Sequence, residues 1–139
     1  MNYKNFDFSF FLRASIGNRI LNQVNATRAY SDYAVNNDGQ LANIPNSFNN
    51  TGFAIPTGLI ALSDIYVENG SFLRMDNITL GYTFPEWLEG KASLRLFTGI
   101  QNAFIITEYS GLDPEINGGL DNTIYPRQRQ ILFGANLKF

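Results

Sequence analysis

The residues of this sequence that could carry out acid–base chemistry are concentrated in one stretch, residues 108–126. It holds four carboxylates, Glu108, Asp113, Glu115 and Asp121. Hydrolysis of a glycosidic bond requires a pair of carboxylates at a fixed separation. Nothing in the surrounding sequence fixes the separation of these four, because the stretch is rich in glycine, asparagine and proline, which are turn residues. We therefore predict no catalytic residue and no enzymatic activity.

The same stretch contains a spacing typical of calcium-binding loops. Asp113, Glu115 and Asn117 present oxygen atoms at alternate positions, and Gly118 is sixth. Such a loop needs a bidentate glutamate at its twelfth position, which is Ile124 here. We predict a turn-rich loop with no metal site and no cofactor, although the sequence leaves open whether the loop binds a metal by another route.

The composition excludes several other classes of site. The 139 residues include no cysteine and no histidine, so no disulfide, thiolate zinc site or imidazole base can form. The formal net charge of −2 provides no basic patch for nucleic acid. Charged residues make up only 16% of the chain, against about 25% in soluble domains. The surface is therefore short of charge.

Two tyrosines, Tyr109 and Tyr125, flank the loop over residues 108–126. We interpret both as anchors at a membrane surface, where tyrosine is enriched. The alternative is that their rings are exposed and stack on sugar rings, which makes both possible ligand contacts.

The elements that would position these residues are strands. Apolar side chains recur at every second position in four runs, and side chains alternate between the two faces of a strand. No run of about 18 apolar residues exists, which excludes a membrane-spanning helix. A short helix is predicted only at 23–33. We predict strands at about 5–20, 65–84, 91–107 and 127–139, long loops at about 22–64 and 108–126, and a turn at 85–90.

The connections between these strands favour a transmembrane barrel. Such barrels combine short periplasmic turns with long extracellular loops, whereas a loop over 22–64 would be unusual in a compact soluble domain. We predict an all-β fold of antiparallel up-and-down strands. A soluble antiparallel sandwich is the alternative, since either architecture hides one face of each strand from water.

Alternation assigns the strand residues to two faces. On the barrel interpretation the apolar face meets lipid, the polar face lines the lumen, and aromatic rings form a girdle at the periplasmic rim. The residues predicted to face lipid are Phe8, Phe10, Leu12, Leu80, Leu96 and Leu137; those predicted to face the lumen are Arg13, Asn77, Arg95, Gln101, Asn136 and Lys138; those predicted at the rim are Phe84, Trp87 and Phe139.

Four ordered segments carry a further signal. They are residues 67–85 (VENGSFLRMDNITLGYTFP), 101–104 (QNAF), 109–115 (YSGLDPE), and 125–127 (YPR) leading into 133–139 (FGANLKF). Residues 3–7 (YKNFD), followed by alternating phenylalanines, match a strand start of the same kind. Together these segments resemble the carboxy-terminal part of SusC/RagA-family TonB-dependent outer-membrane transporters. The resemblance is weak over 22–64.

The resemblance implies the last four strands of a 22-stranded barrel in the outer membrane of a Gram-negative bacterium. It implies import of oligosaccharides or peptides with a SusD-like lipoprotein, and energy from the TonB complex. The plug and the remainder of the barrel are absent from this sequence and are implied partners. Phe139 is implied to be the signal that the barrel-assembly machinery reads. The alternative function is a soluble all-β carbohydrate-binding module whose asparagine-rich loops form the site.

Overall fold

The computed structural model of the chain describes residues 1–28, 35, 39–41, 43, 63–122 and 124–139. They belong to two units, each described separately below. No helix among these residues is long and apolar enough to cross a membrane. The first unit comprises Met1–Ser15, Phe72–Thr107 and Arg127–Phe139, and the second comprises Ile16–Ser71 and Glu108–Pro126.

The described elements are mostly strands. Two short 3-10 helices, Asp64–Tyr66 and Asn117–Gly119, accompany them. In chain order the elements are β1 (Asn2–Tyr3), β2 (Phe6–Ser15), β3 (Arg19–Asn22), α1 (Gln23–Arg28), β4 (Val67–Asn69), β5 (Phe72–Trp87), β6 (Ala92–Thr107), β7 (Leu120–Asp121) and β8 (Gln130–Lys138).

The first unit is one antiparallel sheet of five strands. Its order is β1-β2-β5-β6-β8, and every neighbouring pair is antiparallel. The four strands that alternation predicts correspond to β2, β5, β6 and β8, which lie side by side in that order. The prediction of an all-β fold with antiparallel strands is confirmed for this unit.

Three of the predicted strands are shorter than expected, and the last of them, predicted over 127–139, spans only Gln130–Lys138. The predicted run 5–20 ends as a strand of the first sheet at Ser15, because Gly17 adopts a positive φ of 86° and its N–H donates to Ser71 Oγ. The predicted run 65–84 begins in this sheet only at Phe72. Gly70, just before it, lies so close to Asn18 that a Cβ would be 2.5 Å from the Asn18 amide nitrogen. The apolar runs therefore continue beyond the first sheet into the second unit.

The predicted turn at 85–90 is also displaced. Strand β5 continues through Pro85 to Trp87, and the register with β6 shifts between Phe84 and Trp87. Proline, which has no N–H for the ladder, is tolerated at such an irregularity. The reversal follows at Leu88, Glu89 and Gly90, which all have positive φ.

The second unit contains ordered elements inside both predicted loops, α1 in 22–64 and β7 in 108–126, while its β3 begins within the predicted run 5–20 and its β4 lies within the predicted run 65–84. Its sheet has the order β4-β3-β7, with β3 antiparallel to β4 and parallel to β7. The helix predicted at 23–33 is present as α1, and residues 29–33 lie outside the described residues. Asn22 caps this helix, because its Oδ1 accepts a 3.0 Å hydrogen bond from the Asn25 N–H. Strands of two to four residues are too short to show alternation in the sequence.

Candidate functional site

The register of the first sheet separates two chemically different faces. Residues paired across neighbouring strands point to the same side, so the row that contains Phe8 and Leu80 lies on the same face as the row of Phe10 and Ile78. All six residues predicted to face lipid lie on this side, which is almost entirely apolar. Among the described residues this face is left partly open, since the Leu80 side chain is 46% exposed and the Leu96 side chain is 44% exposed.

The opposite face carries the six residues predicted to line a lumen. Arg13, Asn77 and Arg95 fall at positions that alternate with the apolar set. Gln101 pairs with Asn77, and Asn136 pairs with Arg95, so that polar groups form rows across the strands. Lys138 pairs with Ser93 on the same face.

Two bidentate ion pairs stabilise the polar face. Arg95 donates from Nε to Asp7 Oδ1 at 2.8 Å and from Nη2 to Asp7 Oδ2 at 2.6 Å. Arg13 donates from Nε and Nη2 to the Asp76 carboxylate at 3.0 Å and 3.2 Å. Asp76 lies where the β5 register shifts between Met75 and Asn77, and this irregularity adds a carboxylate to the polar face.

Glycines create the space that this polar face requires. Gly81 lies in β5 between the strands of Asp7 and Arg95, and a Cβ there would be 2.4 Å from Asp7 Oδ1 and 2.7 Å from Arg95 Nη2. Gly134 lies under the Phe97 ring, where a Cβ would be 2.2 Å from ring carbon Cζ. The Arg95 guanidinium lies 4.9 Å from the centre of that ring. The ion pair and the aromatic ring thus form one connected layer over two glycines.

Aromatic rings gather at one end of the sheet. The Phe84 and Trp87 rings are 6.0 Å apart, and Tyr82 lies 4.6 Å from Phe84, both in edge-to-face geometry. Trp87 pairs with Ala92, and Phe139 follows Lys138, the partner of Ser93. The three residues predicted at a rim therefore lie at the same end of the sheet.

The two tyrosines predicted as ligand contacts have different environments in the second unit. Tyr109 is only 5% exposed and its hydroxyl donates to Asp121, which corrects the expectation that its ring is open to a ligand. Burial raises the pKa of the Tyr109 phenol, and the adjacent carboxylate adds to the rise. The phenol therefore remains a hydrogen-bond donor. Gly111 packs directly on its ring. Tyr125 is 78% exposed.

A hydrogen-bond network joins the stretch after β6 to β3 and β4. The Glu68 carboxylate accepts from the Ser110 N–H at 2.8 Å and from its hydroxyl at 2.7 Å. Asn22 donates from Nδ2 to Glu68 at 2.9 Å and to Ser110 Oγ at 3.2 Å. Asn25 donates to the same Ser110 oxygen. These contacts order a stretch that the sequence presents as a loop.

A pocket of about 460 Å³ opens beside this network, entirely within the second unit. Its polar lining includes Asn25, Arg28 and Asp121, and Tyr125 lies at its edge. Volumes of 300–1,000 Å³ are usual for small-molecule sites.

The sequence did not identify the acidic partners on the polar face or the role of Gly81. Asp7 falls on the polar side of the alternation, which was the one available signal. Its partner Arg95 lies 88 positions away, a pairing that no local pattern specifies. The position of Asp76 depends on a register shift that alternation does not predict.

Comparison with known proteins provides close relatives. Over its whole length the chain is 40% identical to the TonB-dependent receptor SusC of Bacteroides thetaiotaomicron, and covers 14% of that protein. It is 34% identical to a TonB-dependent receptor of Formosa agariphila, again over its whole length and 15% of the relative. The chain thus spans about a seventh of the length of these relatives. No family model matches the chain.

Solved structures show the same fold. The RagAB peptide importer in its closed-closed state superposes with a TM-score of 0.71 over 99% of this chain and 16% of the importer chain, at 20% identity. A second RagAB transporter structure gives a TM-score of 0.69 over the same shares.

Proposed function

The chain belongs to the SusC/RagA family of TonB-dependent receptors, and we propose that it forms part of the wall of an outer-membrane import barrel in a Gram-negative bacterium. Within that barrel its four long strands are the last four of 22, the stretches 22–64 and 108–126 belong to the extracellular side, and the turn after Trp87 faces the periplasm.

The observation that carries this proposal is the division of one sheet into two faces. Apolar side chains make up one face, on which Leu12, Leu80 and Leu137 are 41%, 46% and 48% exposed, and ion pairs hold the other face together. A barrel in a bilayer presents such an apolar band to lipid and a polar interior to water. We therefore assign the first face to lipid and the second to the lumen.

Strand length and strand edges support the same proposal. Strands β5 and β6 each have 16 residues, more than the roughly 9–11 that a tilted strand needs to cross a bilayer. The sheet ends at β1 and β8, whose outer backbone groups would be unsatisfied in lipid. Neighbouring strands from the remainder of the barrel pair with these two edges in the proposed receptor, which encloses its plug.

Partners and cargo follow from the family. The receptor works with a SusD-like lipoprotein at its extracellular mouth and draws energy from the TonB complex. Its cargo is oligosaccharide or peptide. The RagAB relative is a peptide importer. The chain contributes wall and scaffold, and we propose no catalytic role for it.

The alternative, a soluble all-β carbohydrate-binding module, is less consistent with the first sheet. A soluble sheet needs a second layer over its apolar face, and in the described residues Phe10, Leu80 and Leu96 remain about half exposed. A bilayer covers such a face without further protein.

The importer proposal predicts both location and energy dependence. Cells that express the full-length receptor with its partner lipoprotein should hold it in the outer-membrane fraction, and should take up labelled oligosaccharide or peptide only when TonB is present. Recovery of the receptor in the soluble fraction without detergent would contradict the proposal and favour the soluble module. Uptake that is unchanged in cells lacking TonB would contradict the energy source.

Phe139 gives a second prediction, about assembly. We propose that this exposed ring, with Phe84 and Trp87, lies at the periplasmic rim and is read by the barrel-assembly machinery. Deletion of Phe139 in the full-length receptor should lower its surface abundance, measured by surface labelling against a co-expressed outer-membrane protein. Deletion of exposed Tyr125 from the proposed extracellular side is the control and should leave abundance unchanged. Equal abundance for wild type and the Phe139 deletion would refute the assembly role.

A further inference from the structure

Two adjoining depressions interrupt the apolar face of the first sheet. Their volumes are about 250 Å³ and 220 Å³, and Leu80 and Thr98 line both of them. Aliphatic and aromatic side chains of the same face line the rest, among them Leu96 and Phe133 in one depression and Ile100 and Ile131 in the other. Both depressions lie within the first unit, all of whose residues are described. Their relief and chemistry can therefore be read without gaps.

The depressions form because Thr98 is the smallest side chain in its row. Across the strands the row consists of Phe8, Leu80, Thr98 and Phe133, so a short side chain lies between two long ones. The Thr98 hydroxyl donates a 3.2 Å hydrogen bond to the Leu132 carbonyl, which satisfies its polar group within the sheet. The depressions therefore remain apolar although a threonine lines them.

A positive charge lies at one end of this face. Every second residue back from the carboxyl end of β8 is on the apolar side, namely Leu137, Ala135, Phe133 and Ile131. The next residue in this column is Arg129, which is exposed. Asn102 Nδ2 donates to the neighbouring Gln128 carbonyl at 3.1 Å, which keeps this segment beside β6. Neither of the ion pairs found between described residues involves Arg129, so its charge is open to a ligand.

The separation of Arg129 from the aromatic end matches the apolar thickness of a membrane barrel. Phe139 follows Arg129 by ten positions, which is about 33 Å along a strand at ~3.3 Å per residue. At a strand tilt of about 40° this gives a height of about 25 Å, the height of the apolar band in such barrels. With Phe139 at one membrane interface, Arg129 lies at the other, at the level of the lipid headgroups.

We propose that this face binds one phosphate-bearing lipid, whose phosphate contacts Arg129 and one of whose acyl chains lies in the two depressions. The inference rests on the proposed function, because it takes the apolar face as the lipid face. Arginine pairs with phosphate through two parallel hydrogen bonds. Ile131, which lines the nearer depression, is two residues from Arg129, about 7 Å along the strand. Headgroup and chain can therefore be held together by one lipid molecule.

The combination of charge and relief distinguishes this site from the surrounding face. A flat apolar surface contacts all acyl chains alike, because the hydrophobic effect is not directional. A depression excludes solvent from more of one chain and surrounds it with more side-chain contacts. The charge of Arg129 adds a preference for an anionic headgroup at the end of that chain. We therefore expect one lipid to remain bound where the other lipids exchange.

The experiment is native mass spectrometry of the full-length receptor in detergent, titrated with dioleoylphosphatidylglycerol. One lipid should bind with a lower Kd than any further lipid. Arg129→Gln should raise that Kd about tenfold, the loss expected for one charge-assisted contact. Arg129→Lys keeps the charge and should retain most of the affinity. Dioleoylglycerol has the same chains without the phosphate, so it should bind wild type about tenfold more weakly and should not respond to Arg129→Gln.

Thr98→Phe tests the depressions. The larger side chain fills them while keeping the face apolar, and it should raise the Kd of both probes about tenfold. Thr98→Val keeps the size of the side chain and should bind both probes like wild type. Leu137→Phe adds a ring to the apolar face outside the depressions and should also bind like wild type. Thermal unfolding of each variant in the same detergent checks the fold. If Thr98→Phe does not fold, Arg129→Gln with the two probes decides.

Three results would overturn the proposal. The first is an unchanged Kd for dioleoylphosphatidylglycerol in a folded Thr98→Phe or Arg129→Gln receptor. The second is competition by glycerol 3-phosphate as strong as that by the lipid, which would mean that phosphate alone is the ligand. The third is a receptor dimer that Thr98→Phe dissociates, which would identify a second copy of the receptor as the occupant of the depressions.

The assignment of the apolar face to lipid is judged separately, by the unfolding free energies of Leu80→Arg and Thr79→Arg receptors in liposomes. Equal costs for these two substitutions would contradict the proposed function. A cost confined to Leu80→Arg, together with lipid binding that neither Thr98→Phe nor Arg129→Gln alters, would contradict the lipid site alone.

Discussion

Arginine in place of Leu80 is expected to destabilise the full-length receptor in a lipid bilayer by about 2–4 kcal/mol, the cost of a charge at the midplane on the lipid face. Leu80 lies midway along β5, on the apolar face of the sheet. Leu137 lies in the row nearest the aromatic end, where the cost of the same substitution falls to about 0–1 kcal/mol. Urea unfolding of the receptor refolded into liposomes measures the loss of unfolding free energy for each of the two substitutions.

Thr79→Arg is the matched control for Leu80→Arg. Thr79 is the neighbour of Leu80 on the opposite face, and its partners across the sheet are Ser9 and Gly99, which leave room for a long side chain. On the lumen face the guanidinium stays in water, so a change near zero is expected. Equal costs at Thr79 and Leu80 would contradict the assignment of the two faces, and a larger cost at Thr79 would reverse it.

Alanine in place of Gly134 is expected to destabilise the receptor by about 1–3 kcal/mol, as is typical of overpacking. A Cβ at this position would lie 2.2 Å from Phe97 Cζ, so the ring must leave its place over the glycine. That ring is also the surface on which the Arg95 guanidinium rests. Gly81→Ala affects the same layer at the ion pair, because the added Cβ would meet the carboxylate of Asp7. It should lower the unfolding midpoint by displacing the Asp7–Arg95 pair.

Gly99→Ala is the control, and a change of the opposite sign is expected. Gly99 also lies on the polar face of β6, but its Cβ would meet nothing closer than Thr79 Oγ1 at 3.4 Å, an ordinary contact. Alanine in a strand is favoured over glycine by about 0.5–1 kcal/mol. In urea unfolding, the free energy of unfolding of the Gly99→Ala receptor should therefore equal or exceed that of wild type. The free energy of unfolding of the Gly134→Ala receptor should be lower than that of wild type. Destabilisation by Gly99→Ala as large as that by Gly134→Ala would mean that strand glycines are required for another reason.

Asp7→Asn and Arg95→Gln variants would show whether Gly81→Ala acts through the ion pair. Each removes one charge, while Gly81 and the backbone stay unchanged. If Gly81→Ala displaces the pair, adding it to either variant should lower the unfolding midpoint less than it does in wild type. An undiminished effect would place the cost of Gly81→Ala elsewhere.

The four long strands and their two faces were predictable from the sequence because alternation is a local property with a period of two residues. Phe8, Leu80 and Leu96 fall on one side for this reason alone, as do Arg13 and Arg95 on the other. The resemblance over 67–85 and the later segments pointed to the family that the SusC relative establishes.

The tertiary structure decided what depends on contacts between distant residues. The pairing of Asp7 with Arg95 needs β2 and β6 on either side of β5, with a glycine between them. The residues around Tyr109 in the sequence have the composition of an exposed loop. The structure nevertheless places Asp121 and Gly111 against the Tyr109 side chain. Alternation records which side of its own strand a residue faces. It carries no information on which residue from elsewhere in the chain lies against it, and that is set by the order and register of the strands.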